Sequence, residues 1–200
     1  MTGRIDTVIF DMDGVIFDSE ILVLQCWREV AERHGIENVD AACHECLGTN
    51  SVVSKGIFLK HYGEDFPYDE YKQEMAEVFF SRSAGGKLAK KPGVEELLGY
   101  LREHEFKVGL ASSTREALVR KELSEGGLIE YFDQIIGGDK VKRSKPEPDI
   151  FLEACSRLGS EPEKCYVIED SYNGINKKVL REFQKYKSVE ELMETDLEEI

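Results

Sequence analysis

Residues 7–15 read Thr-Val-Ile-Phe-Asp-Met-Asp-Gly-Val, and this stretch decides the fold. Its first four residues form a short apolar run that ends abruptly in an acidic segment, which is typical of a buried parallel strand whose carboxyl end opens into a loop. Asp11 and Asp13 are two residues apart, so on an extended segment their carboxylates project the same way, and Gly14 lets the chain turn sharply beneath them. The sequence therefore predicts a paired acid site at the end of a buried strand.

Three more short apolar runs, at residues 108–111, 134–137 and 166–168, indicate further strands of the same kind. Helical patterns lie between them, with apolar residues at i, i+3, i+4 and i+7 after Pro92 and a similar pattern after Pro148. Strands that alternate with helices predict an α/β fold with a parallel sheet and right-handed crossovers.

Residues 18–85 interrupt this alternation, because they carry only helical signals and no strand separates them. We interpret this segment as an inserted, all-helical cap domain. The α/β core is then expected to consist of residues 1–17 and 86–200.

Polar and charged side chains also follow the other predicted strands. They are Ser112, Ser113, Thr114, Lys145, Glu169 and Asp170. Each alone is typical of a helix cap or a solvated loop, and two solvated acids remain the alternative for Asp11 and Asp13. A calcium-binding EF-hand loop is excluded by its spacing of glycine and glutamate. Convergence of all these groups at one edge of a parallel sheet, where α/β proteins bind their ligands, favours a functional site.

Such a set of residues can carry out phosphoryl transfer. Asp11 would attack phosphorus as a nucleophile, and Asp13 would protonate the leaving oxygen and then activate water. Carboxylates this close repel one another unless a hard cation lies between them, and oxygen ligands suit Mg²⁺. Lys145 and Ser112 would neutralise and orient the phosphoryl oxygens, while the N–H groups around residues 112–114 would form an anion cradle.

The motifs resemble those of the haloacid dehalogenase superfamily of phosphohydrolases. The matching residues, in chain order within residues 7–175, are Asp11-x-Asp13-Gly14, Ser112, Lys145-Pro146 and Glu169-Asp170. The stretches Asp18-Ser19-Glu20, Lys145-Pro146-x-Pro148-Asp149 and Glu169-Asp170-Ser171-x-x-Gly174-Ile175 resemble its beta-phosphoglucomutase-like branch. This resemblance implies a Rossmann-like core, a small phosphorylated metabolite as substrate, and a hydrolase of carbohydrate metabolism.

The resemblance also implies a metal site and a choice of chemistry. Mg²⁺ would be bound by Asp11, the Asp13 carbonyl and Asp170, with Glu169 nearby. Dehalogenases of the superfamily lack the second aspartate, so Asp13 favours phosphate chemistry. The cap histidine and cap arginine of the mutases are replaced here by Val23 and by Ser51 or its neighbours.

We therefore expect a Mg²⁺-dependent phosphatase of small phosphate monoesters, phosphosugars in particular, that forms an aspartyl-phosphate on Asp11. One alternative is a hexose-phosphate mutase, and a second is an inactive phosphometabolite-binding or interaction module. Glu20, Asn50 and Arg115 are candidate specificity residues. Trp27 is a further candidate, although its helical spacing favours a place in the cap core.

The sequence departs from the family after Ile175. It continues as Asn-Lys-Lys-Val and an amphipathic tail, in which we see no fifth strand. We expect this strand to be missing, because the sequence omits a segment or because the protein has lost an edge strand, and we favour omission.

Composition limits the partners. The chain has 200 residues, with 26 Lys and Arg against 40 Asp and Glu, which gives a formal net charge of −14. This charge and the lack of a basic cluster argue against nucleic acid and anionic membranes as partners. Five scattered cysteines and the absence of an apolar leader or span predict a reduced, cytoplasmic protein, with a monomer as the default.

Overall fold

The computed structural model describes residues 5–47, 49, 51–143, 145–171 and 183–186. Its strands are β1 (Thr7–Phe10), β2 (Lys107–Ser112), β3 (Gln134–Gly137), β4 (Cys165–Ile168) and β5 (Gln184–Tyr186). They form one parallel sheet in the order β3-β2-β1-β4-β5. The helices are α1 (Ser19–His34), α2 (Val39–Cys46), α3 (Ser51–Tyr62), α4 (Tyr68–Ser83), α5 (Val94–Glu103), α6 (Glu116–Glu125) and α7 (Asp149–Arg157). Short 3₁₀ turns lie at Ile129–Tyr131, Gly138–Lys140 and Pro162–Lys164.

Four strands begin and end within one residue of the positions that the apolar runs predict, and the predicted α/β class is confirmed. Strand β1 is central, pairing with β2 on one side and β4 on the other, and all four of its residues are buried. Val8 and Phe10 join one apolar core with α5 and α6, whereas Ile9 joins a second core with α7. This alternation arises because successive side chains of a strand point to opposite faces of the sheet.

The expectation that the fifth strand is missing is wrong. Residues Gln184–Tyr186 form the short strand β5, which pairs in parallel with β4, Val167 lying opposite Lys185. Phe183, directly before β5, is buried and its ring lies 6.3 Å from that of Phe151. A search of the sequence for apolar runs misses β5, because this strand has only three residues, two of them polar, and lies at the edge of the sheet. The rest of the predicted tail, with Gly174 and Ile175, lies outside the described residues.

Helices α1 to α4 lie between β1 and β2 in the sequence and have an apolar core of their own. Trp27 is at the centre of this core, with its ring 4.5 Å from that of Phe58. The segments that lead in and out of the insertion are hydrogen bonded to each other, since the N–H of Asp18 donates to the Ala89 carbonyl at 2.8 Å. The domain boundaries at residues 18 and 85 remain predictions.

Within the described residues, none of the helices has the length and apolar character that crossing a bilayer requires.

Candidate active site

The carboxyl ends of β1 and β4 bring three acidic side chains together. The two strands are paired, and the N–H of Asp11 donates to the Ile168 carbonyl at 2.9 Å, so the residues that follow each strand are neighbours. Oxygen atoms of Asp11, Glu169 and Asp170 lie within 4.8 Å of one another. One cation placed among them could contact all three carboxylates.

Lys145 neutralises part of this acidic cluster. Its Nζ donates to Asp11 Oδ1 and to Glu169 Oε2, each at 2.6 Å, and it also lies 4.8 Å from the centre of the Phe151 ring. The Lys145 side chain is 9% exposed. Burial alone would lower the pKa of Lys145, but the adjacent carboxylates outweigh this effect and raise it, so the ammonium remains charged at neutral pH.

The cluster carries more negative than positive charge, and the pKa values of Asp11 and Asp170 are both raised. Burial raises the pKa of Asp11 well above its usual value; Lys145 opposes this rise, while Glu169 and Asp13 add to it. Burial, reinforced by Glu20 and Glu169, raises the pKa of Asp170 to about 7. Oxygen donors with surplus negative charge are the set that Mg²⁺ prefers, so the residues present fit this ion.

Asp13 is fixed by the turn that follows β1. Ser19, the first residue of α1, donates its hydroxyl hydrogen to Asp13 Oδ1 at 2.8 Å. Burial raises the pKa of Asp13, and the hydrogen bond from Ser19 partly offsets this rise. Gly14 has a φ of 75°, and a Cβ at this position would overlap the Asp170 carboxylate. Only glycine therefore allows the turn to pass this close to the acidic cluster.

The end of β2 supplies hydroxyl groups. Ser112 is fully buried, and its Oγ accepts a hydrogen bond from the Thr114 N–H at 3.1 Å. Ser113 and Thr114 line the cavity beside the acids, whereas Ser112, predicted to orient the phosphoryl oxygens, is not among the lining residues. This segment precedes α6, but the Thr114 N–H is used by Ser112 and the Glu116 N–H donates to Asp139 Oδ1 at 2.8 Å. The anion cradle therefore remains a prediction.

These residues enclose a cavity of about 450 Å³. It is lined by Asp11, Asp13, Glu20, Thr49, Ser51, Ser113, Thr114, Lys145, Glu169, Asp170 and Ser171. The structure thus brings the predicted acids, Lys145, Ser113, Thr114 and Glu20 to one place. Arg115 is exposed and is not part of this lining, and Asn50 lies outside the described residues.

Sequence reasoning missed the roles of Ser19, Thr49 and Ser171. Ser171 donates its hydroxyl hydrogen to Glu169, and Thr49 comes from the loop between α2 and α3. Ser19 and Ser171 stand inside stretches that carry the family resemblance, but a lone hydroxyl gives no signal of the carboxylate it will contact. Thr49 had no sequence signal at all.

Comparison with known proteins agrees with this geometry. The sequence pattern of the family described as haloacid dehalogenase-like hydrolase matches residues 8–178. The chain belongs to this family. Among curated relatives, the phosphorylated carbohydrates phosphatase of Thermotoga maritima is 35% identical over 180 residues, which cover 85% of this chain and 78% of the relative. The beta-phosphoglucomutase of Bacillus subtilis is 34% identical over 178 residues, covering 84% of this chain and 76% of the relative.

The fold of this haloacid dehalogenase-like hydrolase also resembles solved structures. A Thermotoga maritima protein described as a beta-phosphoglucomutase superposes with a TM-score of 0.74 at 28% identity, covering 98% of this chain and all of the other. The predicted family, its beta-phosphoglucomutase-like branch and the prediction of a phosphohydrolase are confirmed.

Proposed function

We propose that this haloacid dehalogenase-like hydrolase removes phosphate from small phosphate monoesters, phosphosugars in particular, through an aspartyl-phosphate on Asp11. The observation that carries the proposal is the buried Asp11 carboxylate, which faces a cavity, pairs with Lys145 at 2.6 Å and adjoins two further carboxylates. The phosphatase name of the Thermotoga maritima relative supports the substrate class.

The reaction would proceed in two steps. A carboxylate oxygen of Asp11 forms a bond to phosphorus as the ester P–O bond breaks, and the leaving oxygen takes a proton from Asp13. The resulting Asp13 carboxylate then removes a proton from water, which attacks the phosphoryl group and breaks its bond to Asp11. The raised pKa of Asp13 supports its role as the acid of the first step.

Charge compensation comes from two sources in this proposal. The Lys145 ammonium would contact phosphoryl oxygens from the position where it now pairs with Asp11. Asp11, the Asp13 carbonyl and Asp170, with Glu169 nearby, would hold Mg²⁺. The ion would supply positive charge that lets a phosphate dianion approach the acidic cluster.

Two side chains of the cap favour the phosphatase over the mutase. Val23, and Ser51 or its neighbours, stand where the mutases carry histidine and arginine, and neither Val23 nor Ser51 offers a positive charge for a second phosphate. Ser51 lines the catalytic cavity, where Lys145 is the one lysine or arginine among the described lining residues. The pairing of Asp11 with Lys145 argues against the inactive binding module. A monomer and a cytoplasmic location remain predictions.

The test is inorganic phosphate release from hexose and pentose phosphates, with and without Mg²⁺. We expect Asp11→Asn to lower turnover roughly 10³-fold or more, with an unchanged circular dichroism spectrum. The matched control is Asp65→Asn, at an exposed acid of the cap, which should keep wild-type activity. Substantial turnover by Asp11→Asn would refute the nucleophile. Interconversion of hexose phosphates without phosphate release would identify the mutase instead.

A further inference from the structure

A second cavity adjoins the catalytic one. Its volume is about 570 Å³, and it extends among helices α1 to α4. The two cavities share Asp13, Glu20, Thr49, Ser51 and Thr114 in their linings, so they meet directly beside the acid that would protonate the leaving group. Each falls in the range of roughly 300–1,000 Å³ that is usual for a small-molecule site. A group attached to the ester oxygen would therefore lie next to the second cavity.

The second cavity differs from the first in chemistry. Most of its surface is apolar, and its central wall is formed by Val23, Leu24, Trp27, Phe58 and Met75. Ile21 and Leu47 also line it and leave 53% and 49% of their surface exposed. Apolar surface that faces open space is stabilised when an apolar group displaces the water there.

Several of the polar groups that line this cavity have partners already. The hydroxyl groups of Thr49 and Ser54 hydrogen bond to each other at 2.9 Å, and His44 Nδ1 lies 2.7 Å from the Asp40 carbonyl. The Lys72 ammonium lies over the Tyr68 ring, 5.8 Å from its centre. A polyhydroxylated leaving group in contact with the apolar wall would lose hydrogen bonds to water that this wall cannot replace, which is unfavourable.

We propose that the second cavity binds an apolar part of the substrate, so that the preferred phosphate monoesters carry an alkyl or aromatic group on the leaving side. This inference rests on the proposed function, since that function places the phosphate at Asp11. It keeps the proposed class of small phosphate monoesters but changes the preference within it. Unsubstituted hexose and pentose phosphates would be accepted but would leave the second cavity filled with water.

Binding can be measured without turnover because Trp27 is the one tryptophan of the chain and lies in the wall of this cavity. Methyl- and butylphosphonate, whose C–P bond is not hydrolysed as an ester, serve as probes in the presence of Mg²⁺, with Trp27 fluorescence as the readout. Each buried methylene should increase affinity about fourfold, so that butylphosphonate binds roughly 60-fold more tightly. A gain below fivefold would overturn the inference.

A cavity-filling variant locates the alkyl group. Val23→Phe should reduce the affinity for butylphosphonate at least tenfold and change that for methylphosphonate less than threefold. The matched control is Gln25→Phe, at an exposed position of the same helix, which should bind both probes as the wild type does. If Val23→Phe does not fold, Val23→Asn is used instead. It should also reduce the affinity for butylphosphonate at least tenfold, because asparagine makes this part of the cavity wall polar. Undiminished butylphosphonate affinity in a folded Val23 variant would place the alkyl group elsewhere and refute the proposal.

Turnover separates the failure of this inference from that of the proposed function. Phosphate release is compared for methyl, butyl and phenyl phosphate and for glucose 6-phosphate. We expect kcat/KM to rise at least tenfold from methyl to butyl phosphate. Release from all esters with no dependence on the apolar group would refute the second cavity's role alone. No release from any ester, with fluorescence still dependent on chain length, would refute the phosphatase and leave the cavity's ligand class intact.

Discussion

Replacing Lys145 with methionine should destabilise the protein by an amount that depends on pH. The lysine forms two ion pairs of 2.6 Å, and the side chains of Lys145, Asp11 and Glu169 are 9%, 9% and 1% exposed. Removing one partner of a buried ion pair costs about 3–5 kcal/mol, because the other charge stays buried without compensation. For a chain of this length that corresponds to a decrease in Tm of roughly 6–20 °C at pH 8.

The sign of the pH dependence follows from the acids that remain. The pKa of Asp11 is already raised in the folded protein, and loss of Lys145 removes the charge that opposes this rise. A carboxyl group with a higher pKa when folded binds more protons in the folded state, so stability falls as pH rises from the unfolded pKa to the folded one. The loss of stability caused by Lys145→Met should therefore become smaller between pH 8 and pH 5, as Asp11 becomes protonated.

Thermal unfolding followed by circular dichroism measures both effects, in buffer with EDTA so that no metal ion replaces the lysine charge. The control is Lys142→Met, at an exposed position, which should change stability by no more than about 0.5 kcal/mol. Two results would show that the ion pairs do not stabilise the site. One is a Tm of Lys145→Met within 2 °C of the wild-type Tm at pH 8, and the other is a difference in Tm that grows on acidification.

Three further predictions concern the turn, the metal and the acid. Gly14→Ala should lower the free energy of unfolding by at least about 1–2 kcal/mol, because φ is 75° and the added Cβ meets Asp170; an unchanged urea midpoint would contradict this. Mg²⁺ at 100 times its Kd should stabilise the wild type by about 2.7 kcal/mol, measured by thermal unfolding, and an equal effect in Asp170→Asn would exclude that carboxylate as a ligand. Ser19→Ala removes a hydrogen bond that lowers the pKa of Asp13, so the alkaline limb of the kcat/KM profile should move to higher pH; a shift to lower pH would contradict the assignment of Asp13 as the acid.

The strands of the sheet and the acids that follow them were predictable, because a short apolar run that ends at an acid is visible in the local sequence. A strand buried on both faces must be apolar throughout, so its end is visible where the first acid appears, as at Asp11 and Glu169. Parallel strands place their carboxyl ends at one edge, and this geometry brought Lys145 to Asp11 across 134 residues. Neither step required knowledge of how the helices pack.

The parts that sequence reasoning missed depend on packing across the chain. Strand β5 has only three residues, two of them polar, and among the described residues it pairs with β4 alone, so its pattern resembles that of a loop. Trp27 belongs to the cap core, as its spacing on α1 favoured, but that spacing could not show that the same residue also borders a cavity. That cavity exists only where four helices meet.

The position of the helical insertion affects how the chain is made. Thr7 in β1 lies opposite Lys107 in β2 and Cys165 in β4, so the central strand has no neighbour until 100 more residues have been synthesised. At the usual pace of translation that interval lasts roughly 5–20 s. Helices α1 to α4 can meanwhile form through local contacts, and this shortens the loop that must close when β1 pairs with β2. During this interval an apolar Thr-Val-Ile-Phe segment is exposed on the nascent chain, which makes it the natural place for a chaperone to bind and for aggregation to begin.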